Sequence, residues 1–283
     1  MAALRSSVAL YHGGVNRVGP AWGRVAEWSN APVLKTGSRL RGTGVRIPPL
    51  PPHGAAEAEE YTRLRRTMRE EHEQVLVVER ELVESLGTFQ GLKLNPAPYL
   101  AVLLDPRNYR FVPRHRAEHD EGLKQLIPYF IMYHGERIWS YTRGRQAGEE
   151  RLIAKVSIGV GGHINQGDED LFGDVYSRAA MRELEEEVIL PPGYVQAVVA
   201  LLNDDSTPVG RVHLGVIHVL RLACTAVRKR EGVITEGGFR TLPELRKLRD
   251  RLETWSQICL DRMEELLAAA GAATEGNHGP AEP

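Results

Sequence analysis

A Gly-rich turn running into a helix with a crowded acidic face is the feature that most limits what this chain can fold into. The stretch from Ser157 to Leu190 reads SIGVGGHINQGDEDLFGDVYSRAAMRELEEEVIL. Its second half predicts a helix over 176–188 that carries Arg182, Glu183, Glu186 and Glu187. Positions i, i+3 and i+4 of a helix share a face, so Glu183, Glu186 and Glu187 point the same way. Like charges so placed repel by roughly a few tenths of a kcal/mol per exposed pair, and a cation normally offsets that. Clustered carboxylate oxygens suit a hard divalent ion, Mg²⁺ or Mn²⁺. Mg²⁺ commonly bridges one or two carboxylates to the phosphates of a substrate. The plain alternative is a solvated acidic face, for which runs such as ELEEE are common.

Composition narrows the class. The chain has 283 residues, 42% of them hydrophobic, and a net charge of −1. That suffices for one good-sized core or two small ones. Near-neutral charge gives no global case for nucleic acid or a membrane surface as partner, and no apolar run is long enough to span a bilayer. The isolated Cys224 and Cys259 are expected to sit reduced in a cytosolic core. The N-terminal MAALRSSVALYHGG is too weak for a signal peptide, so the expected compartment is the cytoplasm. The expected partner is a phosphate-containing small molecule, with a homodimer left open.

The acidic helix and its turn resemble the Nudix box, G-x5-E-x7-R-E-U-x-E-E-x-G-U, where U is a bulky aliphatic residue. Arg182-Glu183-Leu184-Glu185-Glu186-Glu187 fits the R-E-U-x-E-E core at every position, and Leu190 fits the last aliphatic. Asp174 takes the place of the upstream glutamate. There are two departures. Ile189 replaces the Gly that normally ends the helix, where a left-handed cap is usual. Gly162 lies twelve residues before Asp174 instead of six, which reads as a six-residue insertion, NQGDED or nearby. The phrases SIGVGGHIN, LLNDDSTPVGRVHLGVIHV, ETWSQICL and QVLVVERELV extend the resemblance, over roughly residues 72–262, to a bacterial Nudix subfamily described as predicted phosphoesterases.

The resemblance implies an α/β fold, a Nudix-type α/β/α sandwich with a mixed sheet. It implies that Glu186 and Glu187 ligate Mg²⁺ or Mn²⁺, that Glu183 is a ligand or the general base, and that Arg182 orients Glu183. Gly161 and Gly162 would let the loop backbone approach the metal and substrate. The chemistry implied is attack of water on a diphosphate phosphorus, carried by positioning and electrostatics. His163 is a candidate phosphate contact or a local brace for the loop. Asp204, with Asn203, Asp205 and Ser206, either binds substrate or orders a turn. Glu236 is a candidate remote base or metal ligand. Trp139, Tyr141 and Trp255 are expected in the core before a stacking role, and Arg143 and Arg145 are either anion-binding or a solvated hairpin end. Two other functions compete. An isoprenoid diphosphate isomerase would need an active-site Cys beside a Glu, and a non-catalytic ligand sensor would be expected to have lost box glutamates.

Along the chain, residues 1–67 lack apolar periodicity and hold the breaker-rich GTGVRIPPLPPHG. Residues from about 23 to 52 resemble a translated tRNA gene. Val45-Arg46-Ile47 can be encoded by the T-loop, and 33–37 by a serine anticodon arm. The expectation is a disordered extension from a mis-assigned start, with Met68 the natural one. A Nudix domain with an N-terminal subfamily extension is expected over 68–270 and a disordered tail over 271–283. Strands are expected at 74–78, 155–160, 197–203 and 212–222, and a hairpin at 126–133 and 137–142 around His134-Gly135. Residues 99–104 form another apolar stretch. After a Thr241/Pro243 cap signal, helices are expected over 242–248 and, as one long element, 250–270.

Overall fold

The computed structural model describes residues 73–143, 155–166, 175–230 and 236–275. The extension 1–67, Arg145, Asp174 and most of the insertion lie outside them. Strands β1 (Gln74–Glu79), β2 (Gly91–Leu94), β3 (Tyr109–Pro113), β4 (Leu123–His134) and β5 (Arg137–Thr142) come first. Strands β6 (Val156–Ser157) and β7 (Gly159–Gly161) lead into the Gly-rich turn. After the acidic helix, Val175–Glu187, come β8 (Val188–Ile189), β9 (Tyr194–Asn203), β10 (His213–Leu222), β11 (Arg228–Lys229) and β12 (Gly238–Thr241).

Strand β4 is the axis of the sheet. Its run LKQLIPYFIMY is apolar nearly throughout because both faces are covered. One edge pairs in parallel with β10, from Gln125↔His213 to Tyr133↔Arg221. The other edge is shared in turn by β1, by β7 at Tyr129–Ile131, and by β5 at the hairpin. Strand β9 continues the sheet beyond β10, and β2 covers only its Ala200–Asn203 end. On one face Leu126, Phe130, Leu214 and Val216 pack under Tyr176, Ala179, Ala180 and Leu184 of the acidic helix. On the other, Tyr129, Ile131, Ile217 and Val219 pack under Leu245, Cys259, Leu260 and Met263. The fold is an α/β/α sandwich on a mixed sheet, as expected.

Several local expectations change. The strand expected over 155–160 breaks at Ile158, whose N–H donates to the Ser256 hydroxyl at 3.0 Å instead of joining the ladder. Residues 99–103 belong to a helix, Ala97–Leu103, with Pro96 as its N-cap and Leu104 as its C-cap. The long C-terminal helix is two, Thr254–Asp261 and Met263–Glu275. The break at Arg262 lets its guanidinium donate to Leu92 O at 2.9 Å. The second helix includes 271–275, the first residues of the expected tail. Thr241 and Glu244 do form a reciprocal cap on Leu242–Lys247. Cys224 is exposed, just past β10, while Cys259 is buried.

The missing box glycine at Ile189 is also resolved. The chain leaves the helix without a left-handed residue there and extends directly into β8, which pairs with β11. Arg230 N–H then donates to Glu187 O at 2.8 Å. A strand neighbour satisfies a terminal carbonyl that a Gly cap would otherwise serve.

Candidate active site

The acidic helix and the Gly-rich turn meet where the motif places them. Strand β7 is pinned to the middle of β4, Gly161 opposite Tyr129, and the turn leaves from there toward the helix. A Cβ on Gly162 would overlap the Glu183 carboxylate, only 2.6 Å from its carbon. A Cβ on Gly161 would lie 2.5 Å from Pro128 O. Neither glycine has a left-handed φ, so the pair serves close approach rather than a special turn conformation.

Arg182 gathers the carboxylates. Its Nη1 lies 2.7 Å from Glu183 Oε1 and 2.9 Å from Glu186 Oε1, and charge-assisted bonds of this kind are strong and directional. The Glu183 side chain is only 15% exposed. Burial raises its pKa from 4.5 to about 7; Glu186 and Glu187 push the same way, and Arg182 opposes them. The Glu187 charge is felt on the far side by Tyr141 and Arg143. Among the described residues, no three acidic, imidazole or thiol groups already close on one point as a metal cage. Arg182 stands between two of the candidates.

The remaining expected residues have other partners. His163 Nε2 is 3.4 Å from His213 Nε2. Burial, then the charges of Arg114 and His213, drive its pKa well down, so the imidazole is neutral. Asp204 is 2% exposed and orders its turn. Its Oδ1 accepts from Ser206 N–H and Gln90 Nε2, each at 3.2 Å. Asn203 and Asp205 each accept from buried Lys124 Nζ at 2.7 Å. Glu236 is exposed, and its carbonyl accepts from Thr142 N–H at 3.3 Å. Trp139 and Tyr141 are core residues, and Trp255 packs on Gly215 and edge-on to Tyr129.

One network was not singled out in the sequence, although ETWSQICL and SIGVGGHIN contain its Glu253, Ser256 and Ser157. Glu253, 7% exposed, accepts from Ser157 Oγ at 2.6 Å, Tyr129 Oη at 3.0 Å and Ser256 Oγ at 3.2 Å. Its other oxygen accepts from Arg143 Nε at 3.0 Å. Burial works against the Arg143 charge, but Glu253, Tyr141 and Glu187 more than offset it and raise its pKa. The network ties the C-terminal helices to the strand that feeds the Gly-rich turn. It also sets a cation on the Glu187 side of the site.

No family model matches the chain. Protein YmaB of Bacillus subtilis is 36% identical over 205 residues, spanning 68% of this chain and 98% of YmaB. The crystal structure of Tm1382, a candidate Nudix hydrolase, matches with a TM-score of 0.56 and 29% identity, over 68% of this chain and 99% of that one. Box, fold and relatives together place the chain in the Nudix hydrolase superfamily, in one family with YmaB.

Proposed function

We propose that this Nudix hydrolase cleaves a diphosphate-linked small molecule by metal-dependent attack of water at phosphorus. The observation that carries the reading is Glu183. It is a buried carboxyl raised to about 7, set against Gly162 and held by Arg182. A group with that pKa is matched to taking a proton from water near neutral pH. Arg182 holds it in place and keeps Glu186 alongside. Gly161 and Gly162 keep the turn close enough for backbone groups to reach the substrate's phosphates.

The donor set fits Mg²⁺ or Mn²⁺. Glu183, Glu186 and Glu187 are hard oxygen donors on one helix face, and the first two already converge on a single guanidinium nitrogen. When bound, the ion would neutralise phosphate oxygens and acidify its water. His163 keeps the loop beside Gly162 in place. Asp204 is a weaker candidate for substrate contact, and Glu236 for a remote base or metal ligand. Neither cysteine is at this site. Cys259 lies under the opposite face of the sheet and Cys224 on the surface past β10, which argues against the isomerase chemistry.

The test is a phosphate-release screen with Mg²⁺ over nucleotide sugars, dinucleoside polyphosphates, nucleoside triphosphates and alkyl diphosphates. Glu186→Gln should cut turnover by orders of magnitude with the melting temperature preserved. Wild-type rates in that variant would overturn the assignment. Ligand binding without any turnover by the wild type would point to a sensor.

A further inference from the structure

A cavity of about 1050 Å³ opens beside Arg182 and Glu186. It exists because β2 stops early. Asn95, with φ +56°, turns the chain away after Leu94, and Pro96 starts the helix Ala97–Leu103. Strand β9 therefore has no strand neighbour on that side along Tyr194–Val199 among the described residues. The space left is walled by Leu94, Leu100 and Leu104 on one side and Met181 on the other, over Val198. The small Ala101 and Ala272, both exposed, also line it.

The floor carries polar atoms that are already joined to one another. Gln196 Nε2 lies 2.8 Å from His218 Nδ1, and Tyr176 Oη lies 2.7 Å from His218 Nε2. His218 is 1% exposed. Buried polar groups that satisfy one another present a surface of low demand, suited to hydrocarbon. Of the lining tyrosines, Tyr176 and Tyr194, the first is already stacked on His218 with ring centroids 5.7 Å apart. Among the described residues its charged lining is Arg178, Arg182, Glu185 and Glu186 of the box helix, with Arg230 after β11. The cavity is at the upper end of the roughly 300–1,000 Å³ typical of sites for drug-sized molecules.

We infer that this cavity takes the hydrocarbon chain of an amphiphilic diphosphate, an alkyl or prenyl diphosphate ester, with its phosphates at Arg182 and Glu186. The inference rests on the hydrolase reading for the fate of the phosphates. Water oxygen bonds to the terminal phosphorus, the bond from that phosphorus to the bridging oxygen breaks, and a water proton passes to Glu183. The products are the organic monophosphate and inorganic phosphate.

Calorimetry on the full chain with hexyl, octyl and decyl phosphate tests the cavity without requiring turnover. Each added methylene should tighten binding by up to about fourfold, the equivalent of ~0.8 kcal/mol per buried CH₂. Geranyl phosphate in parallel separates a branched isoprenoid chain from a straight one. Ala272→Trp should fill the cavity and weaken decyl phosphate at least tenfold. Ala101→Trp does so from a different helix should the first variant fold poorly. Binding insensitive to chain length, or unchanged in a well-folded Trp variant, overturns the inference. Glu186-dependent cleavage of nucleotide diphosphates without alkyl phosphate binding also overturns it, while leaving the hydrolase reading intact. Chain-length-dependent binding lost in the Trp variants, with no diphosphate cleaved, supports the cavity assignment and overturns hydrolysis instead.

Discussion

Replacing Glu183 by Gln in metal-free protein should raise stability at alkaline pH and lower it by about 1 kcal/mol in acid. Burial raises the Glu183 pKa from 4.5 to about 7, so folding disfavours the ionised form. Below about pH 4.5 the carboxyl is protonated in both folded and unfolded chains, and stability is full. Between 4.5 and about 7 the unfolded chain ionises first, and stability falls as pH rises. At roughly 1.4 kcal/mol per pH unit, the gap amounts to about 3 kcal/mol above pH 7. The side chain is only 15% exposed, so solvent screening removes little of this. Imperfect packing of the Gln amide takes back about 1 kcal/mol. The remaining ~2 kcal/mol corresponds to a melting temperature about 4–8 °C higher for Glu183→Gln at pH 8. The assay is thermal melting of both proteins in chelator from pH 4.5 to 8.5. A constant offset across pH, or a variant less stable than wild type at pH 8, would refute the reasoning that burial destabilises this carboxylate.

Four further outcomes are expected. Millimolar Mg²⁺ should raise the wild-type melting temperature and narrow the gap to Glu183→Gln, since a ligand of the folded state stabilises by mass action; a melt indifferent to metal would favour a solvated acidic face. Gly162→Ala should displace the Glu183 carboxylate and cut turnover at least tenfold. Its stability cost, read by denaturant melts, should stay near 1 kcal/mol because a flexible side chain can yield. Lys124→Ala should cost about 3 kcal/mol in urea unfolding, because it removes the buried donor to Asn203 Oδ1 and Gly210 O and leaves Asp205 only Arg80 and Asn203. A chain starting at Met68 should melt and turn over like the full chain, and the DNA encoding residues 23–52 should fold as a tRNA cloverleaf; a loss of several degrees on truncation would make the extension structural.

The box helix, the Gly-rich turn before it, the hairpin around Gly135 and the Thr241 cap were legible in the chain itself. Each is a short-range pattern whose physics is local: helical spacing, a turn residue, a reciprocal cap. The apolar run at 126–133 likewise announced most of β4, and the packing on both its faces came from the structure. The two mistaken continuities, at Ile158 and Arg262, fall where a side chain bonds backbone in place of the regular ladder or carries the chain into a tertiary contact. What tertiary structure alone decided lies further apart. Glu253 meets Arg143 across 110 residues, and Lys124 meets Asn203 across 79. The cavity joins the end of β2, the flank of the box helix and the last helix. An isolated buried Glu or Lys carries no periodic mark, and a void is defined by what stops short of it. Sequence determined which carboxylates share a face. Only the packed sheet decided that Glu183 is buried enough to titrate near neutrality, because desolvation depends on everything folded around it.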